Sequence, residues 1–274
     1  MEKKKNNKKE VEKKPLIEFK LVDKKSDLIA CVIALCVILA IVLSPKMYWV
    51  NTAKWTNWKE EDKQNVITAM GSENTEERFR LYFQYYNVLH ELGHGLIHYN
   101  NGVSIPIVEE EQLVNDFAIA YWTYYGDPQK IDELYDIVTY AVEHVGDNYK
   151  NGVDYMENAR KHSSNNDFDD DFFNFNDYGW FQFSSVKHSI EQNKSLEDVL
   201  KEMGIKDFKL TKKEMLIHDK MSEEESTKII NEAIENFKEW GLKFPKAHQA
   251  FSSDPNKNSS RPFKNILGIF NILK

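Results

Sequence analysis

Tyr86-Asn87-Val88-Leu89-His90-Glu91-Leu92-Gly93-His94-Gly95-Leu96-Ile97-His98 is the stretch on which the reading of this chain turns. No proline interrupts residues 76–99, and Asn100-Asn101-Gly102 is a strong stop and turn signal, so one long helix is expected there. His90 and His94 are one helical turn apart, which puts both imidazoles on one face and within reach of a single ion. Glu91 sits about 100° further round the helix, close enough to touch a water at that ion without ligating it. This is the H-E-x-x-H arrangement of zinc metalloproteases. Apolar Val88, Leu89, Leu92, Leu96 and Ile97 surround it, and two histidines in such a setting are costly to bury without partners.

A third protein ligand has to come from elsewhere. His98 is two turns beyond His90, about 12 Å along the axis, too far for one ion to bridge. The metzincin pattern needs Gly at 97 and His at 100, where this chain has Ile97 and Asn100. A carboxylate on the next helix is the alternative. The turn at 100–103 lets a second helix, expected from just after Pro106 through Tyr125, return antiparallel and lay its first turns on the motif. Glu109, Glu110 and Glu111 stand there. Glu109 and Glu110 are read as first-turn acids that complement the helix dipole. Glu111 shares a face with Asn115 and Ala118, polar at its start and small at its end. That face fits a ligand, an amide that orients a ligand, and close packing on the histidine helix.

His90-Glu91-Leu92-Gly93-His94-Gly95-Leu96-Ile97-His98, followed by Glu111-x-x-Val114-Asn115-x-Phe117-Ala118, resembles the ImmA/IrrE family of metallopeptidases, which pairs H-E-L-G-H with E-x-x-A-N-x-F-A. The resemblance covers about residues 80–125. It departs at Val114, where Ala is usual, and at Tyr124-Tyr125-Gly126, where the family often carries M-P. It implies a zincin-like helical peptidase domain with His90, His94 and Glu111 as zinc ligands and Glu91 as catalytic base. A donor for the developing oxyanion is usual in such chemistry. Tyr178, His188, His144 and His162 are candidates, with Tyr178 and His188 first because they share one expected helix.

The rest of the chain frames this site. Of 274 residues 41% are hydrophobic and 29% charged, a globular balance. The net charge of −8 is unevenly spread: residues 1–25 carry ten lysines against five acids, whereas 45–274 carry 26 basic against 38 acidic residues, a net of −12. That argues against a nucleic-acid-binding surface on the main domain. Cys31 and Cys36, the two cysteines, exclude a disulfide framework or a cysteine zinc site. From Leu28 to Leu43 no residue is charged. This run is read as an uncleaved single-pass anchor extended to Val50, with Tyr48 and Trp49 at the interface. The weaker alternatives are a cleaved signal peptide, which lacks an A-x-A site here, and a buried helix. Lysines before the run place the tail in the cytoplasm and the acidic domain outside.

The expected organisation is a Lys-rich tail (1–27), an anchor (28–50), a mainly α metallopeptidase domain (51–251), and a linker with an amphipathic C-terminal helix (252–274). Further helices are expected at 129–145, 178–192, 195–203 and 222–240. Asp167–Phe183, DFDDDFFNFNDYGWFQF, lacks the glycine and glutamate of an EF-hand and reads as an acidic loop entering a buried aromatic helix. A wall of the substrate cleft is its functional alternative. The function expected is zinc-dependent hydrolysis of a protein or peptide by a membrane-anchored enzyme. Its rivals are an anchored, non-catalytic zinc-containing binding or signalling module and an immunity-type factor that recognises one partner.

Overall fold

The computed structural model describes residues 47–145, 152–165, 167–211, 218 and 221–252. The chain divides into two units, Met1–Pro45 and Lys46–Lys274, and every described residue belongs to the second. Strand β1 (Met47–Ala53) is followed by helices α1 (Glu60–Met70) and α2 (Thr75–Arg80), a π-helical stretch (Leu81–Tyr86) and α3 (Asn87–Tyr99). Then come α4 (Ile107–Tyr125), α5 (Pro128–His144), α6 (Tyr155–Lys161), α7 (Asp177–Gln192), α8 (Leu196–Glu202), α9 (Glu223–Glu239) and strand β2 (Lys246–Ser252). The described unit is mainly helical, as expected.

Local chemistry sets the helix ends. Asp127 caps α5 by accepting the Gln129 amide at 3.0 Å, with Pro128 in the first turn. Ser195 and Ser222 cap α8 and α9 in the same way, each accepting the amide three residues on. At the end of α3, Asn101 takes a left-handed conformation (φ 52°) and the Gly102 amide donates to the Ile97 carbonyl at 2.8 Å. The chain then turns back into α4, and α3 and α4 pack closely at Gly93. A Cβ there would lie 3.0 Å from Val114 Cβ and 3.1 Å from Phe117 Cδ1. The main core spreads from this contact to Tyr121, Trp122, Phe237 and Trp240, all buried. A second apolar cluster, Val108, Ala159, Phe168, Phe172, Phe173 and Phe181, joins the phenylalanines of the acidic loop to Phe181 of the helix after it.

Three expectations change. The single helix expected over 76–99 contains the π-helical stretch, where the Asn87 amide reaches back five residues to the Tyr82 carbonyl. Residues 47–50 are not the end of an anchor but the start of β1, which pairs in parallel with β2 from Met47↔Lys246 to Ala53↔Ser252. Tyr48 and Val50 are buried in the domain while Met47 and Trp49 face out. Their short alternation abuts the apolar run, which hid the strand. The domain's other edge moves correspondingly, since β2 carries it to Ser252. Residues 28–46, read from sequence as an anchor, and the expected C-terminal helix lie outside the described residues. Among those described, no helix is long and apolar enough to cross a membrane.

Candidate metal centre

Two helices and their buried polar stripes build the site. α3 presents His90 and His94, each 5% exposed, and α4 presents Glu111, 1% exposed. Glu111 Oε2 lies 3.3 Å from His90 Nε2, and its Oε1 lies 3.7 Å from His94 Nε2. One donor atom from each residue falls within 4.8 Å of the others, a group that could hold a metal ion. A tetrahedral ion bound at about 2.0–2.1 Å has ligand–ligand edges of about 3.3 Å, so the spacing fits.

Hydrogen bonds behind the rings decide which nitrogens face inward. His90 Nδ1 lies 2.6 Å from Asn115 Oδ1. The Asn115 amide is held with its oxygen towards the histidine because its Nδ2 donates to Ser185 Oγ at 2.7 Å and Gln182 Oε1 at 3.1 Å. The Tyr86 hydroxyl also donates to Asn115 Oδ1. An acceptor at that distance fixes the proton on His90 Nδ1. His94 Nδ1 lies 2.7 Å from Glu110 Oε1, and the carboxylate fixes its proton in the same way. Both rings then turn Nε2 towards the Glu111 carboxylate, and His94 Nε2 is buried without a hydrogen-bond partner. Three lone-pair donors converging in a buried space require a cation among them, either a proton or a metal ion.

Glu110 therefore does more than complement the helix dipole. Glu109 pairs with Arg160 at 2.8 Å. Glu111 is itself held from α7: Gln182 Nε2 donates to its Oε2 at 2.7 Å, and the Tyr178 hydroxyl lies 3.5 Å from the same oxygen. Tyr178, Gln182, Ser185 and Ser189 form one stripe on α7 facing Glu111, Gln112, Asn115 and Asp116 on α4. Lys194 closes the far end on Asp116 at 2.9 Å. A polar helix–helix seam of this kind is satisfied along its length and fixes the register of the two helices.

Electrostatics follow the same geometry in the metal-free protein. Burial pushes the Glu91 carboxyl up, His90 and His94 pull it down, and the balance leaves it at about 7. Burial also disfavours charge on Glu111, but the His90 hydrogen bond and the His94 and His90 charges outweigh it and hold Glu111 at about 2. His94 is opposed by burial and favoured by Glu110 and Glu111, which lift it to about 9. Glu91 is 3% exposed and close enough to His90, His94 and Glu111 to feel all three.

The remaining candidates are placed as follows. Tyr178 stands beside Glu111, buried, with burial holding its phenol well above the usual range. His188 does not join it. Ten residues along α7, about 15 Å away along the axis, it packs its ring on Tyr155. His144 stacks on Tyr140 and His162 on Phe172, and neither belongs to the ligand group. His98 is exposed and packs against Tyr99. Tyr48, Tyr86, Gln182 and Ser185 escaped the sequence reading. Spacing of 4, 3 and 4 residues through 178, 182, 185 and 189 was the one available signal. Comparison with protein-family models, with curated proteins and with solved structures returns no match.

Proposed function

We propose that this chain is a membrane-anchored, zinc-dependent metallopeptidase of the ImmA/IrrE type that hydrolyses peptide bonds of a protein or peptide substrate. One observation carries the reading: a buried two-histidine, one-carboxylate group with a second carboxylate, Glu91, beside it and left over from ligation. The N₂O donor set, with imidazole tautomers fixed from behind, suits zinc and leaves an open position. Structural zinc sites are closed by a fourth ligand and have no use for a base. Phe117, a residue that matches the second motif of that family, packs on Gly93 of the histidine motif, which supports the likeness.

When bound, zinc supplies Lewis acidity that acidifies water and polarises a carbonyl. Glu91 takes the proton of the attacking water and passes it to the leaving amine. A carboxyl balanced near 7 in the metal-free protein becomes more acidic beside a cation, which suits a base at neutral pH. Asn115 and Glu110 hold the ring protons of His90 and His94 on Nδ1, which leaves Nε2 of each ring as the atom that faces the metal position. Gln182 restrains Glu111, and the Tyr178 hydroxyl, 3.5 Å from the same carboxylate, is the oxyanion donor this reading assigns.

The test is hydrolysis of an unstructured protein by the zinc-loaded chain, beside its Glu91→Gln variant. Cleavage by wild type, lost in the variant while zinc is retained, supports a peptidase. A biological effect that survives Glu91→Gln assigns the chain instead to the non-catalytic binding or signalling module.

A further inference from the structure

The outer face of the β1–β2 ribbon carries exposed apolar and basic side chains. Four large apolar side chains are strongly exposed among the described residues, and two of them, Met47 (46%) and Trp49 (47%), lie on this one face of β1. Their cross-strand neighbours are Lys246 and His248, both exposed, and the His248 ring stands edge-on to Trp49 at 4.8 Å. A tryptophan flanked by methionine, histidine and lysine is the composition of a side chain seated at headgroup level.

Charge points the same way. The region 45–274 carries a net of −12, yet residues 46–59 hold three lysines and no acid, and 240–253 hold two lysines and no acid. The two segments that form the ribbon are thus a basic island in an acidic domain. Lys54 pairs with Glu223, while Lys59, Lys243 and Lys246 are exposed. Chain length supplies the third argument. The uncharged run ends at Leu43 and β1 starts at Met47, so Met47 stays within about 14 Å of the end of that run.

We propose that this face rests on the headgroups of an anionic phospholipid bilayer, an inference that rests on reading 28–43 as the chain's anchor. The same strand then works on both sides. On its inner face Tyr48 donates to the Glu91 carbonyl at 2.7 Å, and its ring lies against Gly95, where a Cβ would come within 3.2 Å. One residue along β1 therefore separates the side chain bonded to the histidine helix from those on the outer face. The seating holds that site at a fixed, short height above the headgroups and favours peptide segments near the bilayer.

The test uses the full chain in nanodiscs of phosphatidylcholine, with or without phosphatidylglycerol, and with brominated acyl chains to quench nearby tryptophan. Of the six tryptophans, Trp58, Trp122, Trp180 and Trp240 are buried, so Trp49 is expected to supply most of the quenched emission. Quenching strengthened by phosphatidylglycerol, lost in Trp49→Phe and weakened in Lys243→Glu/Lys246→Glu, with zinc content unchanged, supports the proposal. Quenching equal in wild type and Trp49→Phe overturns the lipid-facing assignment but leaves the anchor standing. Failure of the chain to enter nanodiscs overturns both, and leaves the metal reading untouched. A Trp49-dependent dimer in detergent without lipid quenching overturns it in favour of a second copy on this face.

Discussion

Replacing Glu91 with Gln is expected to stabilise the metal-free protein and, under the proposed function, to abolish hydrolysis. Burial raises the Glu91 carboxyl from 4.5 to about 7 against the pull of His90 and His94. An acid whose folded pKa is raised binds its proton more tightly when native. Folding therefore draws full benefit below pH 4.5 and loses it progressively as the pH rises to 7. Above pH 7 the penalty is constant. The shift of about 2.5 units corresponds to about 3 kcal/mol at pH 8 and about 1 kcal/mol at pH 5. Gln cannot ionise and escapes that penalty, so the variant's gain should follow the same curve. For a unit of this size, about 3 kcal/mol raises Tm by roughly 6–12 °C. Thermal melts of the chelator-treated full chain in detergent, wild type against Glu91→Gln at pH 5 and pH 8, measure it directly. Zinc should narrow the gap, because a cation beside the carboxylate offsets the desolvation. A variant no more stable than wild type at pH 8, or a gain that does not shrink at pH 5, would refute the electrostatic account of Glu91.

Three further outcomes are expected. Asn115→Ala leaves the His90 Nδ1–H without its acceptor and cuts the tie to Gln182, so zinc affinity should fall about 10–100-fold in a chelator-competition titration. Unchanged affinity would mean that the amide does not orient the ring. Gly93→Ala drives a methyl into Val114 and Phe117 and should cost about 1–3 kcal/mol by urea unfolding, with zinc affinity reduced as α3 and α4 separate. In the metal-free protein His94 holds a proton with a pKa of about 9, raised from 6.5; the stability it lends is present below 6.5 and lost as pH rises through 9. Zinc must displace that proton, so between pH 7 and 9 zinc affinity should rise about tenfold per pH unit. An affinity flat over that range would show that His94 is already neutral.

Most of the helical frame was legible in the sequence because its signals are local. The stop at Asn100-Asn101-Gly102, the start after Pro106, and the serine and aspartate caps act within a few residues of where they are read. His90, His94 and Glu111 were legible for a related reason: a tight turn brings consecutive helices together, leaving few faces that can meet. β1 was not, because its partner β2 lies some two hundred residues on and a parallel pair leaves no hairpin signal between its strands. The π-helical stretch carries no compositional mark in Leu81-Tyr82-Phe83-Gln84-Tyr85-Tyr86. Glu110 and Gln182 depended on tertiary placement. Adjacent glutamates at a helix start look alike until one of them is found 2.7 Å from a histidine ring. His188 failed for the converse reason, since sharing a helix with Tyr178 said nothing about sharing its face.

The central claim is that Glu111, and not His98, completes the metal site. Zinc content of the purified full chain, beside its Glu111→Ala and His98→Ala variants, tests it most directly. One zinc per chain in wild type, lost in Glu111→Ala and kept in His98→Ala, is the result predicted. Full zinc in Glu111→Ala, or none in wild type, would contradict it.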